Sequence, residues 1–146
     1  MRSLTSHPER TLDATDYLPL GAESIPRTRV LIIEDHVDTG VWLGRALQEQ
    51  GYAVRWERRG EHALIALERP PFPDAIILDL LLPGLHGERI YKLVRGQKDL
   101  EKTPILVITA VPDQELPGWD DAWVGTLTKP VSKRQILQAL EGLLAR

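Results

Sequence analysis

Residues 75–79 read Ala75-Ile76-Ile77-Leu78-Asp79, four apolar side chains in a row followed by a carboxylate. A strand with one wet face alternates polar and apolar residues, so an unbroken apolar run predicts a strand covered on both faces. Just upstream, Pro70, Pro71 and Pro73 end the helical spacing of Ala63, Leu64 and Leu67, because proline lacks an amide hydrogen and clashes with the preceding turn. The same unit recurs in both directions. Val30-Leu31-Ile32-Ile33 runs straight into Glu34-Asp35, after which Leu43, Ala46 and Leu47 recur at helical spacing as far as a stop at Gly51. Tyr52 to Trp56 reads as a second strand, Ile105 to Ile108 as a fourth and Trp123 to Leu127 as a weaker fifth, with Ile90, Leu93 and Val94 marking the helix after the third. The last helix is the best marked: Ser132 and Gln135 fit a capping box, Val131 and Ile136 a hydrophobic staple, and Ile136, Leu137, Leu140, Leu143 and Leu144 line one face.

Buried strands alternating with amphipathic helices predict an α/β fold, a doubly wound five-stranded parallel sheet with helices on both faces and right-handed crossovers. The helix due between residues 111 and 121 contains Pro112, Pro117 and Gly118, so a short or irregular fourth helix is expected. At 146 residues the chain suits one domain. Residues 1–28 lack periodicity and read as a flexible extension, in which Tyr17, Leu18 and Leu20 are able to dock; residues 29–146 form the domain. A net charge of -3 without a Lys/Arg stripe gives a phosphate backbone little to hold, which argues against direct nucleic-acid binding. The absence of cysteine excludes disulfides and thiolate metal sites. No apolar run reaches the roughly 20 residues of a membrane span, and residues 1–26 lack the apolar core of a signal peptide, so the expected location is cytoplasmic.

In doubly wound sheets ligands bind at the carboxyl ends of the strands. Glu34 and Asp35 follow the first strand, Asp79 the third, Thr109 the fourth and Lys129 the fifth. Each is ordinary alone: strand-end acids cap into water, threonines pack in strands and lysines face solvent. Their joint placement is what points to a site. Three converging carboxylates repel one another unless a hard, oxygen-seeking cation neutralises them, which suggests Mg²⁺, with Mn²⁺ as an acceptable substitute. A lysine and a hydroxyl beside that cation complete the groups needed to hold a phosphoryl unit. No GxxxxGK[ST] or GxGxxG follows the first strand, so a nucleotide-binding loop is lacking.

The run Asp79-Leu80-Leu81-Leu82-Pro83-Gly84-Leu85-His86-Gly87, with Lys129-Pro130 and the pair Glu34-Asp35, resembles the receiver domain of two-component response regulators over about residues 29–146. The resemblance implies the flavodoxin-like (βα)5 fold of chemotaxis regulators, with strand order 2-1-3-4-5. It implies that Asp79 is phosphorylated as the nucleophile, and that Glu34, Asp35, Asp79 and the backbone carbonyl of Leu81 hold the metal. Lys129 would pair with Asp79 and then with the phosphoryl group, and the hydroxyl of Thr109 would move to meet it. The bond before Pro130 would be cis. His36 and His86 are expected to be surface loop residues. Where the family carries the Tyr or Phe that reports phosphorylation stands Thr126, so the usual aromatic readout is in doubt and Thr126 is either a switch or a filler. Trp119 and Trp123 are either exposed anchors or, more often for such residues, packed in the core. Leu81 and Val111, apolar on the path of attacking water, suggest slow self-dephosphorylation.

The expectation is a stand-alone phosphorelay component, since no output domain follows the last helix, acting as a switch, relay or phosphate sink. Its phosphoryl donor is a sensor histidine kinase or histidine phosphotransfer protein. A further protein is expected downstream, and a homodimer is compatible with the sequence. Such a chain is not an enzyme in the ordinary sense, because it catalyses only its own phosphorylation and dephosphorylation. The alternative is a phosphorylation-independent interaction module, favoured by Thr126 and the broken fourth helix and opposed by the complete acidic pocket. A phosphohydrolase would need a second acid two residues after the nucleophile, where Leu81 stands.

Overall fold

The computed structural model describes residues 17, 27–80, 85–110, 119 and 121–146. The strands are β1 (Arg29–Ile33), β2 (Ala53–Glu57), β3 (Ala75–Leu80), β4 (Ile105–Thr109) and β5 (Val124–Thr128). The described helices are α1 (Val37–Glu49), α2 (Gly60–Ala66), α3 (Leu85–Gly96) and α4 (Lys133–Leu144). All pairings are parallel and the order is β2-β1-β3-β4-β5, as expected. The expected irregular helix falls largely on residues 111–118, which lie outside the described residues.

The unbroken apolar runs are buried because successive side chains enter opposite cores. Leu31, Ile33, Ile76, Leu78, Ile105 and Val107 meet Ala63 and Leu67 at α2 and Ile90 and Val94 of α3. Val30, Ile32, Ile77, Leu106 and Ile108 meet Leu43 and Leu47 of α1 and Ile136, Leu140 and Leu143 of α4. The edge strands are less covered, which explains their blurred sequence patterns: β5 alternates between half-buried and exposed residues. Trp119 joins the first core, its ring stacked on Tyr91 at 4.9 Å, so it is packed rather than an exposed anchor. Trp123 is half-buried.

The helix boundaries follow local chemistry. Gly51 adopts φ 95°, a left-handed value that stops α1 at little steric cost. The predicted capping box forms at α4: Ser132 Oγ accepts from Gln135 N at 3.1 Å and Gln135 Oε1 accepts from Ser132 N at 2.8 Å. His36 is exposed and N-caps α1, whereas His86 lies inside α3 rather than in a loop. Upstream of β1, Tyr17 is buried, and burial pushes its phenol well above the usual range. Arg29, Arg55, Glu57 and Asp74 are the charges around it. Among the described residues no helix is long and apolar enough to cross a membrane.

Candidate functional site

Parallel pairing fixes which strand ends share an edge. Asp79 is registered against Ile108, and Thr109 against Thr128, with Lys129 next in the chain. The backbone of Lys129 donates to the Thr109 carbonyl at 2.8 Å, which carries the ladder one residue past β5. At the other side of the edge, Glu34 N donates to the Glu57 carbonyl at 3.0 Å and extends β1 in the same way. The Lys129–Pro130 bond is cis, as the resemblance implies.

At this edge Lys129 Nζ lies 2.8 Å from Asp79 Oδ2, with the Asp79 side chain only 4% exposed and that of Lys129 29% exposed. Glu34 is buried beside them, and its Oε2 accepts the backbone N–H of His36 at 2.9 Å. Two buried carboxylate oxygens, Glu34 Oε1 and Asp79 Oδ1, meet no donor among the described residues. Burial, and then the neighbouring Asp79 carboxyl, push the Glu34 carboxyl up to about 8. Burying an acid beside another acid disfavours its charged form, and Lys129 offsets only part of that cost.

The structure therefore brings Glu34, Asp79 and Lys129 together, with the buried Thr109 on the adjoining strand end. Asp35 is exposed, and no three acidic, His or Cys side chains among the described residues close into a metal-holding group. Leu81 and Val111 lie outside the described residues. Thr126 is exposed. Sequence reading assigned no role to Trp56 and Arg58, whose side chains reach the backbone of Glu34 and Asp35. The only sequence signal was a bulky aromatic and a run of basic residues at the end of a strand.

The raised Glu34 carboxyl sets a pH dependence. The folded chain keeps a proton that the unfolded chain releases above about 4.5, so folding stability is full below that pH and is lost as pH rises toward 8. Without divalent cations, the melting temperature should fall over that interval. Glu34→Gln should flatten the slope. A melting temperature that rises with pH across the same window would contradict this.

A family model described as the response regulator receiver domain matches residues 30–141. The chain belongs to this family, the receiver domains of two-component phosphorelay signalling, which work with histidine kinases. It is 34% identical over 121 residues to the transcriptional regulatory protein TcrA of Mycobacterium tuberculosis, covering 81% of this chain and 46% of that protein. It is 32% identical over 120 residues to the transcriptional regulatory protein QseB of Escherichia coli O157:H7, covering 81% and 53%. The chain thus spans about half the length of these curated relatives. Among solved structures, the chemotaxis response regulator CheY4 of Vibrio cholerae superposes with a TM-score of 0.70 at 29% identity, covering 81% of this chain and 99% of that one. The receiver domain of sensor histidine kinase PA1611 from Pseudomonas aeruginosa, solved with a magnesium ion coordinated in its active site cleft, gives a TM-score of 0.70 at 24% identity, covering 83% and 100%.

Proposed function

We propose that Asp79 accepts a phosphoryl group from the phosphohistidine of a sensor kinase or phosphotransfer protein, in a cytoplasmic, Mg²⁺-dependent reaction. The resulting aspartyl phosphate serves as a switch, relay intermediate or phosphate sink. The observation that carries this reading is the state of the Asp79 carboxylate: buried, held through Oδ2 by Lys129, and with Oδ1 unmet.

An Asp79 oxygen attacks phosphorus, the P–N bond breaks, and its electron pair leaves with the donor imidazole. A carboxylate is a modest nucleophile, so positioning and charge neutralisation supply most of the acceleration. Lys129 transfers its ion pair from the carboxylate to a phosphoryl oxygen, and the Thr109 hydroxyl donates to another. We assign Glu34, Asp35, Asp79 and the carbonyl of Leu81 to the cation. The buried oxygens Glu34 Oε1 and Asp79 Oδ1 are hard donors that suit such an ion, and the magnesium-bearing cleft of the PA1611 receiver is consistent with it. When bound, Mg²⁺ supplies positive charge to the transferring oxygens.

The exposed Thr126 favours the second reading, a module that binds partners without phosphorylation, because a side chain in solvent has no buried position to swing into. Incubation with acetyl phosphate and Mg²⁺, read by intact mass, separates the two. One phosphoryl group is expected on the wild-type chain and none on Asp79→Asn. No addition, or addition that survives the substitution, would favour the module.

A further inference from the structure

The turn from β1 into α1 consists of Glu34, Asp35 and His36, and each of its three carbonyls is engaged. The carbonyl of His36 accepts the N–H of Gly40 at 2.9 Å and starts the helix. The other two are held by side chains from the end of β2 and the residue just after it. The Trp56 indole Nε1–H donates to the Glu34 carbonyl at 2.7 Å. Arg58, immediately after β2, donates to the Asp35 carbonyl from Nε at 3.3 Å and from Nη2 at 3.1 Å. Room for the indole is made by α1 itself: a Cβ on Gly40 would sit 2.1 Å from Cζ2 of Trp56, so any larger residue displaces the ring.

We infer that Trp56 and Arg58 are positioning residues for the acidic pair, fixing the peptide planes of Glu34 and Asp35 so that both carboxylates are presented to a divalent cation. This inference rests on the proposed metal role of Glu34 and Asp35. A carbonyl held at 2.7 Å by a ring packed against α1 cannot rotate without losing that bond and the packing together. Because the side chain of a residue turns with its peptide planes, the same clasp limits where the carboxylates go. Loss of groups that orient metal ligands in this way typically weakens metal affinity by roughly ten- to a hundred-fold.

The sign of one effect separates positioning from charge. Arg58 is a cation near a cluster of acids, so if it acted through charge alone, its removal would tighten binding of a dication. Removal of a clasp weakens it. The experiment is calorimetric Mg²⁺ titration of the full chain as wild type, Trp56→Phe, Arg58→Ala and Gly40→Ala, with phosphoryl uptake from acetyl phosphate measured across the same Mg²⁺ range. Trp56→Phe and Arg58→Ala should each bind Mg²⁺ roughly ten-fold more weakly, Gly40→Ala should behave like Trp56→Phe, and saturating Mg²⁺ should restore uptake to within about two-fold of wild type. Arg58 is exposed, so that variant carries the test if the tryptophan variant fails to fold. Wild-type or tighter Mg²⁺ affinity in folded Arg58→Ala, or an uptake defect that saturating Mg²⁺ leaves in place, would overturn the inference. Failure of the wild-type chain to bind Mg²⁺ would instead remove the proposed function, and this inference with it.

Discussion

Replacing Lys129 with alanine should slow phosphoryl uptake by roughly a hundred-fold or more while tightening Mg²⁺ binding. Both effects come from one ammonium group lying 2.8 Å from Asp79 Oδ2. At rest it competes with any dication for the carboxylate, so its loss frees a ligand oxygen for the metal. In the proposed transfer it would neutralise charge that builds on the phosphoryl oxygens, and preorganised cationic donors at such positions are worth several kcal/mol in the transition state. The stability change is smaller. Breaking a buried pair from one side costs about 3 kcal/mol, but Lys129 is 29% exposed, and screening should reduce the loss to about 1–2 kcal/mol. Stopped-flow uptake and calorimetric Mg²⁺ titration of the same preparation check both signs. An unchanged rate at saturating Mg²⁺ would show that the ion pair is structural.

The second large effect concerns the sheet that carries the site. Ile77→Ala should cost about 3 kcal/mol, a substantial part of the roughly 5–15 kcal/mol that holds a typical domain together. Ile77 is fully buried, registered between Ile32 and Leu106 and covered by α1 and α4, so the vacated space has rigid walls on every side. Ile65→Ala, the same substitution at a 44% exposed position of α2, should change stability by no more than about 0.5 kcal/mol. Urea unfolding of the pair measures the contrast. Equal losses would mean that the core is not organised around β3 as described.

What was legible in the sequence follows from burial. β1, β3 and β4 announced themselves because both their faces are covered, which requires apolar residues at every position. β2 lies at Ala53–Glu57, one residue later than the pattern suggested, and its centre holds Arg55, buried at 4% exposure and paired with Glu57 at 2.9 Å. A charge that stays in the interior only because a partner accompanies it breaks an apolar pattern without breaking the strand. β5 was faint because an edge strand with exposed threonines carries little hydrophobic signal. Trp119 was ambiguous for another reason: its fate depends on Tyr91, 28 positions earlier on α3, with which it stacks.

The site divides the same way. Parallel pairing brings strand ends to one edge, so Glu34, Asp79, Thr109 and Lys129 were readable as soon as the strands were. The exposure of Asp35 was not, because a residue just past a strand end is free of the alternation that fixes those inside it. The clasp by Trp56 and Arg58 was hidden too: both donate to backbone carbonyls, and every residue has one, so no residue type marks the acceptor.

At the centre of the account stands a pair of crowded carboxyl groups, Glu34 and Asp79, that one lysine neutralises incompletely. The most direct measurement is the melting temperature of the wild-type chain at pH 8 as Mg²⁺ is added, with the Glu34→Gln, Asp79→Asn double variant alongside. A saturable rise in the wild type, absent from the double variant, is the predicted result. An indifferent wild type, or an equal rise in both, would contradict it.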